Sequence, residues 1–282
     1  MAPTDPIAAL PPLKEVIKAY RLDARRKLGQ NFLLDLNLTG RIAREARIQP
    51  QHTVIEIGPG PGGLTRAILM AGAERVIAIE KDSRAIEALQ PLVKASSGRL
   101  SIIEGDALTI PVHELGPADA PRQIIANLPY NIATPLLFGW LDHAAAFQSM
   151  TLMFQREVAE RITAQPGGGN YGRLSIMCQW LAETKLCFDI PPSAFVPPPK
   201  VTSSVIRLLP RLTPAFPAER ELLQEIAKTA FNQRRKMLRA SLRSLGGLTL
   251  LDTAGIDGQR RPESLTLDEF CILARTLKEQ RR

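Results

Sequence analysis

Three acids and an amide recur at the ends of short β-branched runs: Glu56 within Val54–Ile57, Glu80 closing Arg75–Glu80, Asp106 just after Leu100–Glu104, and Asn127 after Gln123–Ala126. Groups so placed accept hydrogen bonds and, where ionised, attract positive charge. No Ser/His or His/Asp constellation accompanies them, and His52, His113 and His143 are scattered without a partner cluster. That points away from nucleophilic catalysis and assigns no metal. The chemistry that remains is one of positioning.

Between the first two acids lies Gly58-Pro59-Gly60-Pro61-Gly62-Gly63, entered by the strand Val54–Ile57 and left by an apolar helix, Leu64–Met70. Glycine is required where a turn is tight and backbone must come within contact distance of a ligand. Gly58-x-Gly60-x-x-Gly63 also fits the dinucleotide fingerprint, so the loop alone means a nucleotide-like ligand at a strand–helix turn. The flanking acids choose among such ligands. Glu56 can meet the loop or an ammonium group, but would repel a pyrophosphate seated in the turn. Glu80, 22 residues after Gly58, suits ribose hydroxyls, and Asp106 can accept from an adenine amino group. An ammonium, ribose hydroxyls and adenine without phosphate describe S-adenosylmethionine. They argue against NAD and an oxidoreductase.

The chain has 282 residues, 45% of them hydrophobic, enough for one large domain and a small one. It has no apolar run of membrane-spanning length and no signal pattern near Met1. Cys178, Cys187 and Cys271 are odd in number and unpaired by spacing, as reduced thiols would be. A cytoplasmic monomer without a membrane partner is expected. The net charge is +8, and its placement is uneven. Lys14–Arg47 carries nine basic residues against four acidic, Arg211–Arg282 carries 14 against nine, and the rest of the chain is left at −2. Two basic wings around an acidic centre fit a polyanionic partner, RNA or DNA.

A helix over Leu10–Tyr20 leads into basic Arg21–Lys27 and a polar loop, Leu28–Leu33. Asp35–Arg47 is helical, with Arg41, Arg44 and Arg47 outermost. Strand, helix, strand, helix (Ser83–Val93) and strand then alternate, which predicts a parallel, doubly wound α/β sheet with its ligand at the carboxyl strand ends. Asn127-Leu128-Pro129-Tyr130 follows the fourth strand, and Pro129 would hold the Leu128 carbonyl and the Asn127 amide in set directions. Pro135–Leu141 is helical. Pro191–Lys200 is proline-rich and extended, which would hold Phe195 rigidly. Pro210–Pro217 marks a boundary between domains 1–210 and 211–282. Beyond it helices are expected over Glu219–Phe231, Arg234–Leu245 and Leu267–Lys278. The second would align Arg235, Arg239 and Arg243 in one basic stripe above buried Leu238 and Leu242.

These pieces resemble the KsgA/RsmA type of small-subunit rRNA adenine dimethyltransferase. The resemblance rests on Leu28–Leu33, Glu56–Gly63, Asn127–Tyr130, the Pro192/Phe195/Pro197/Pro199/Val201/Ser203 pattern and Phe231–Leu238, in family order along nearly the whole chain. It implies a class I, Rossmann-like methyltransferase domain with a small helical C-terminal domain. It also implies methylation of two adjacent adenines in a hairpin near the 3′ end of 16S rRNA, within the small subunit or its precursor. Matched residue by residue, Asn31, Leu33, Gly58, Glu80, Asp106 and Asn127 would hold S-adenosylmethionine. Asn127, Leu128, Pro129 and Tyr130 would hold the reacting amine, with Tyr130 and Phe195 flanking the base. The resistance methyltransferases, which act on one adenine of large-subunit rRNA, are a near alternative. A non-enzymatic assembly factor is a further one.

Overall fold

The computed structural model describes residues 5–22 and 31–281. Leu28, Gly29 and Gln30 of the polar loop and most of the basic segment before them lie outside the described residues. A short helix, α1 (Leu13–Ala19), and a two-residue strand, β1 (Phe32–Leu33), precede α2 (Leu36–Ala46). Asp35 caps α2, its carboxylate accepting from the amides of Asn37 and Leu38 at 2.8 and 3.3 Å. The expected alternation follows as β2 (Thr53–Ile57), α3 (Gly63–Met70), β3 (Arg75–Glu80), α4 (Ser83–Ala95), β4 (Leu100–Glu104), β5 (Arg122–Asn127), α5 (Tyr130–Leu141) and β6 (Phe147–Gln155). Every residue of β2 is buried, as a continuous apolar run in the middle of a parallel sheet requires.

After α6 (Arg156–Thr163) and α7 (Arg173–Leu181) come β7 (Ala182–Ile190), β8 (Phe195–Val196) and β9 (Ser203–Pro210). The main sheet has the strand order β4-β3-β2-β5-β6-β9-β7. It is parallel from β4 to β6 and antiparallel where β9 meets β6. Strand order reverses between β2 and β5, and the carboxyl ends there leave a crevice. A second, small sheet pairs β1 with β8, Leu33 lying opposite Phe195.

The helical elements that follow are α8 (Arg220–Asn232), α9 (Leu238–Ser241), α10 (Gly247–Thr253) and α11 (Leu267–Gln280). A capping box, Thr266 with Glu269, starts α11. The helix expected over Arg234–Leu245 does not form. Its place is taken by a turn, the four-residue α9 and a 3₁₀ turn, Arg243–Leu245. The amides of Leu238 and Arg239 bond instead to the carbonyls of Arg260 and Gly258, at 2.8 and 3.0 Å. Those tertiary partners cannot be reached from inside a continuous helix. Leu238 and Leu242 are fully buried as expected, whereas Arg235, Arg239 and Arg243 sit exposed on three different local structures and form no single stripe.

The chain divides into two compact units, one reaching Ala159 and resuming over Lys185–Pro210, the other made of Glu160–Thr184 and Arg211 onward. A single boundary at Pro210 therefore misassigns residues 160–184. In the second unit Trp180 of α7 is buried and its indole N–H donates to the Phe216 carbonyl at 2.8 Å. An amphipathic helix carries no mark of which neighbour will cover it, so this return is silent in the sequence.

Candidate functional site

The carboxyl ends of β2, β3 and β5, the turn after β4 and the edge strand β1 line one cleft in the first unit. Its walls include Asn31, Phe32, Leu33, Glu56, Gly58, Gly60, Glu80, Lys81, Asp106, Asn127, Leu128, Pro129 and Tyr130. All six positions matched to the cofactor, Asn31, Leu33, Gly58, Glu80, Asp106 and Asn127, are therefore brought to one place.

The glycine loop owes its shape to local backbone. Gly58 and Gly60 adopt φ of +67° and +53°, which side-chain-bearing residues rarely tolerate. A Cβ on Gly60 would meet the Phe32 ring at 2.9 Å, whereas one on Gly58 would meet nothing within 4 Å and would fill the cleft itself. The loop is thus closed against β1 on one side and open to a ligand on the other.

Glu80 is 7% exposed and is held by three backbone donors: Lys81 and Asp82 amides on Oε1 at 2.8 and 2.9 Å, and Gly60 on Oε2 at 3.1 Å. Burial raises its pKa, and these donors oppose the rise. The Gly60 contact makes the acid a strut of the loop as well as a wall of the cleft. Oε1 is filled by its two donors, and Oε2, with one, keeps a lone pair for a hydroxyl donor.

Glu56 is the other buried acid of the cleft. It is 1% exposed, and burial pushes its carboxyl up to about 8, with Glu80 acting in the same direction. Thr65 lies close enough to ease the shift, but its hydroxyl and Glu56 Oε2 both fall outside hydrogen-bond geometry. A buried carboxyl oxygen without a partner, beside a second carboxyl, is a costly arrangement. A cationic ligand relieves it and a phosphate worsens it, so the site fits S-adenosylmethionine better than a dinucleotide.

Asp106 is bound by Lys81 Nζ at 2.8 Å and by the Leu108 amide at 3.0 Å, which hold its carboxyl below the usual range. Lys81 went unread in the sequence, although its place directly after the strand-ending Glu80 puts it at the same rim. Asn127 donates through Nδ2 to the Asn31 carbonyl at 3.2 Å, which ties the Asn-Leu-Pro-Tyr turn to β1. Tyr130 begins α5, five residues before the start expected at Pro135, and its hydroxyl shares a 2.6 Å hydrogen bond with Ser203 Oγ at the head of β9. Ser203 belongs to the matched pattern, but nothing in the sequence tells its role.

Phe195 does not line the cleft. Its ring is 2% exposed and sits in the core with Leu33, Ile42 and Leu64 rather than on the cleft. The prolines around it do hold an extended segment. However, pairing of that segment with β1 turns the ring inward, since successive side chains on a strand face opposite sides. Phe195 shapes the cleft by anchoring the strand that carries Phe32 and Leu33.

The sequence model of the ribosomal RNA adenine dimethylase family matches residues 21–279. A Rhodospirillum rubrum protein named ribosomal RNA small subunit methyltransferase A is 57% identical over 278 residues, covering 98% of this chain and 96% of that one. A Rhizobium etli protein of the same name is 54% identical, with coverages of 95% and 98%. Among solved structures, a dimethyladenosine transferase from Plasmodium falciparum superposes with a TM-score of 0.74 at 26% identity, covering 87% of this chain and 97% of that one. The 23S rRNA methyltransferase ErmE gives 0.67 at 28% identity, with coverages of 88% and 100%.

Proposed function

The chain belongs to the ribosomal RNA adenine dimethylase family, and on that premise we propose that it dimethylates the N6 amines of two adjacent adenosines. The substrate is a hairpin loop near the 3′ end of 16S rRNA, in the small subunit or its precursor, and the methyl donor is S-adenosylmethionine. The observation that carries this reading is the convergence of the Asn127–Tyr130 turn with buried Glu56 and Glu80 on one cleft. The names of the relatives above half identity favour the small subunit over the large.

When bound, S-adenosylmethionine supplies an electrophilic methyl group on a sulfonium centre. Glu80 would take the ribose hydroxyls. Asp106, once released from Lys81, would accept from the adenine amino group, and Glu56 answers the positive charge. Asn127, with its Nδ2 engaged by Asn31, keeps Oδ1 to accept an N–H of the target amine. Together with the Leu128 carbonyl it would draw the amine out of the ring plane and localise a lone pair that is otherwise delocalised. A base as strong as a catalytic dyad is unnecessary, because the amine loses its proton readily once methylated. Tyr130 supplies a ring at the cleft wall, and stacking on it offsets about 1–3 kcal/mol of the cost of unstacking the base.

The test is methylation of small subunits from cells lacking the gene, followed by mass mapping of the 3′-terminal fragment. Two adjacent dimethyladenosines are expected. Methylation confined to a large-subunit adenine, or binding of NAD in place of S-adenosylmethionine, would overturn the reading.

A further inference from the structure

The C-terminal stripe is dispersed, but the first unit carries a basic face of its own. There α2 presents Arg41, Arg44 and Arg47, three residues apart and all exposed. Exposed Lys185 of β7 and half-buried Arg207 of β9 join them. The Arg41 guanidinium lies 3.8 Å from the centroid of the buried Phe188 ring, a cation–π contact that helps hold it in place. Arg47 and Arg207 are near enough for the charge of one to oppose that of the other, and Glu45 is the acid in their midst. Among the described residues none of these five cations makes an ion pair.

A group of like charges without ion pairs costs the free protein self-repulsion, which a negatively charged partner would reverse. Along α2 the three arginines span about 9 Å, the reach of a few backbone phosphates. The stripe also has a direction. The α2 cap, Asp35, follows the cleft-lining residues Asn31–Leu33, and Arg47 lies at the far end of the helix, before β2. The arginines thus lead away from the reacting site.

We propose that the α2–β7–β9 face is an RNA-backbone contact that grips helical rRNA flanking the target hairpin, separate from the cleft that takes the base. This rests on the substrate assigned above. It accounts for charge without specificity: guanidinium groups on phosphates set register on the particle and leave selection of the adenine to the cleft.

Full-length protein carrying Arg44→Gln, Arg47→Gln and Lys185→Gln tests it, with Arg41 left alone because it covers Phe188. Binding to small subunits, and to protein-free duplex RNA cut from them, is measured across a range of KCl concentrations without methyl donor. The slope of log affinity against log salt should fall in magnitude by about 2–3, some 0.7–0.9 per lost phosphate contact. Calorimetric affinity for S-adenosylmethionine should be unchanged. Glu45→Gln should tighten RNA binding by about two- to fivefold, a gain that misfolding cannot mimic. An unchanged slope in the triple variant overturns the proposal. So does a loss seen on particles but absent on bare RNA, which would assign the face to a ribosomal protein. Because binding is read without catalysis, a wild-type protein that binds with the full slope yet methylates nothing would refute the assigned function and leave this face standing.

Discussion

Glu56 sets the cleft's electrostatics at the scale of one residue. Its carboxyl is buried and raised to about 8, so it holds a proton at neutral pH in the free protein. The folded form binds that proton more tightly than the unfolded chain, and stability contributed by this site therefore falls as pH rises from about 4.5 to about 8. A cation in the cleft favours the ionised form, so donor binding releases the proton. Affinity for S-adenosylmethionine should tighten as pH rises from 6 towards 8, by at most about tenfold per unit. It should level off above 8. Glu56→Gln should flatten the profile, and a calorimetric pH series on both proteins decides it. Phe195 gives the complementary case, a residue whose type suggested stacking and whose surroundings are core. Phe195→Ala should cost about 3–5 kcal/mol of stability through the cavity left among Leu33, Ile42 and Leu64. Denaturant unfolding measures this. A variant of native stability with slowed methylation would restore the ring to the reaction.

Between elements, the tie that matters joins the first residue of α5 to the first of β9. Tyr130 and Ser203 are 73 positions apart and share a 2.6 Å hydrogen bond, with Ser203 fully buried. The turn that carries Asn127 is thus fixed at two points: to β1 through the Asn31 carbonyl and to β9 through the tyrosine hydroxyl. Stacking needs only a ring, so Tyr130→Phe should remain an active methyltransferase. The lost hydrogen bond should nonetheless slow methylation by about three- to tenfold, the scale of 0.5–1.5 kcal/mol. Ser203→Ala should do the same, Ser203→Thr should recover part of it, and the double variant should be no slower than either single one. Additive losses in single-turnover rates would show that the two hydroxyls act separately.

For the whole molecule, the discontinuous second unit has a practical consequence. A chain ended at Pro210 looks like a complete catalytic domain in the sequence, but it retains Arg173–Leu181 without the helices that cover it. Ile176, Met177 and Trp180 are buried there, Tyr171 meets Phe231 edge-on at 6.1 Å between ring centroids, and the Arg211 amide bonds to the Leu181 carbonyl at 2.8 Å. Removing Arg211 onward bares that surface. The fragment 1–210 should bind a hydrophobic dye and self-associate at concentrations where the full chain does not. Light scattering of both proteins checks this, and a monodisperse, dye-silent fragment would mean that residues 160–184 fold against the first unit after all.

The parallel doubly wound sheet and the gathering of the cleft-lining residues were legible in the sequence because local rules govern them. β-Branched runs make strands, the glycine loop admits the positive φ of Gly58 and Gly60, and a strand's carboxyl end dictates where Glu80, Asp106 and Asn127 must lie. The ends of α3, β3 and β4 were likewise readable to within a residue or two. What only the tertiary structure decided is which face of an element finds a partner. Phe195 went inward because its strand met β1, the expected Arg234–Leu245 helix was broken where the amides of Leu238 and Arg239 met the carbonyls of Arg260 and Gly258, and Glu160–Thr184 joined the later helices across a long stretch of chain. Periodicity records that a side chain will be covered. It cannot record by what, since covering groups far apart in the chain leave no local pattern, and the sites that depended on such pairings stayed hidden.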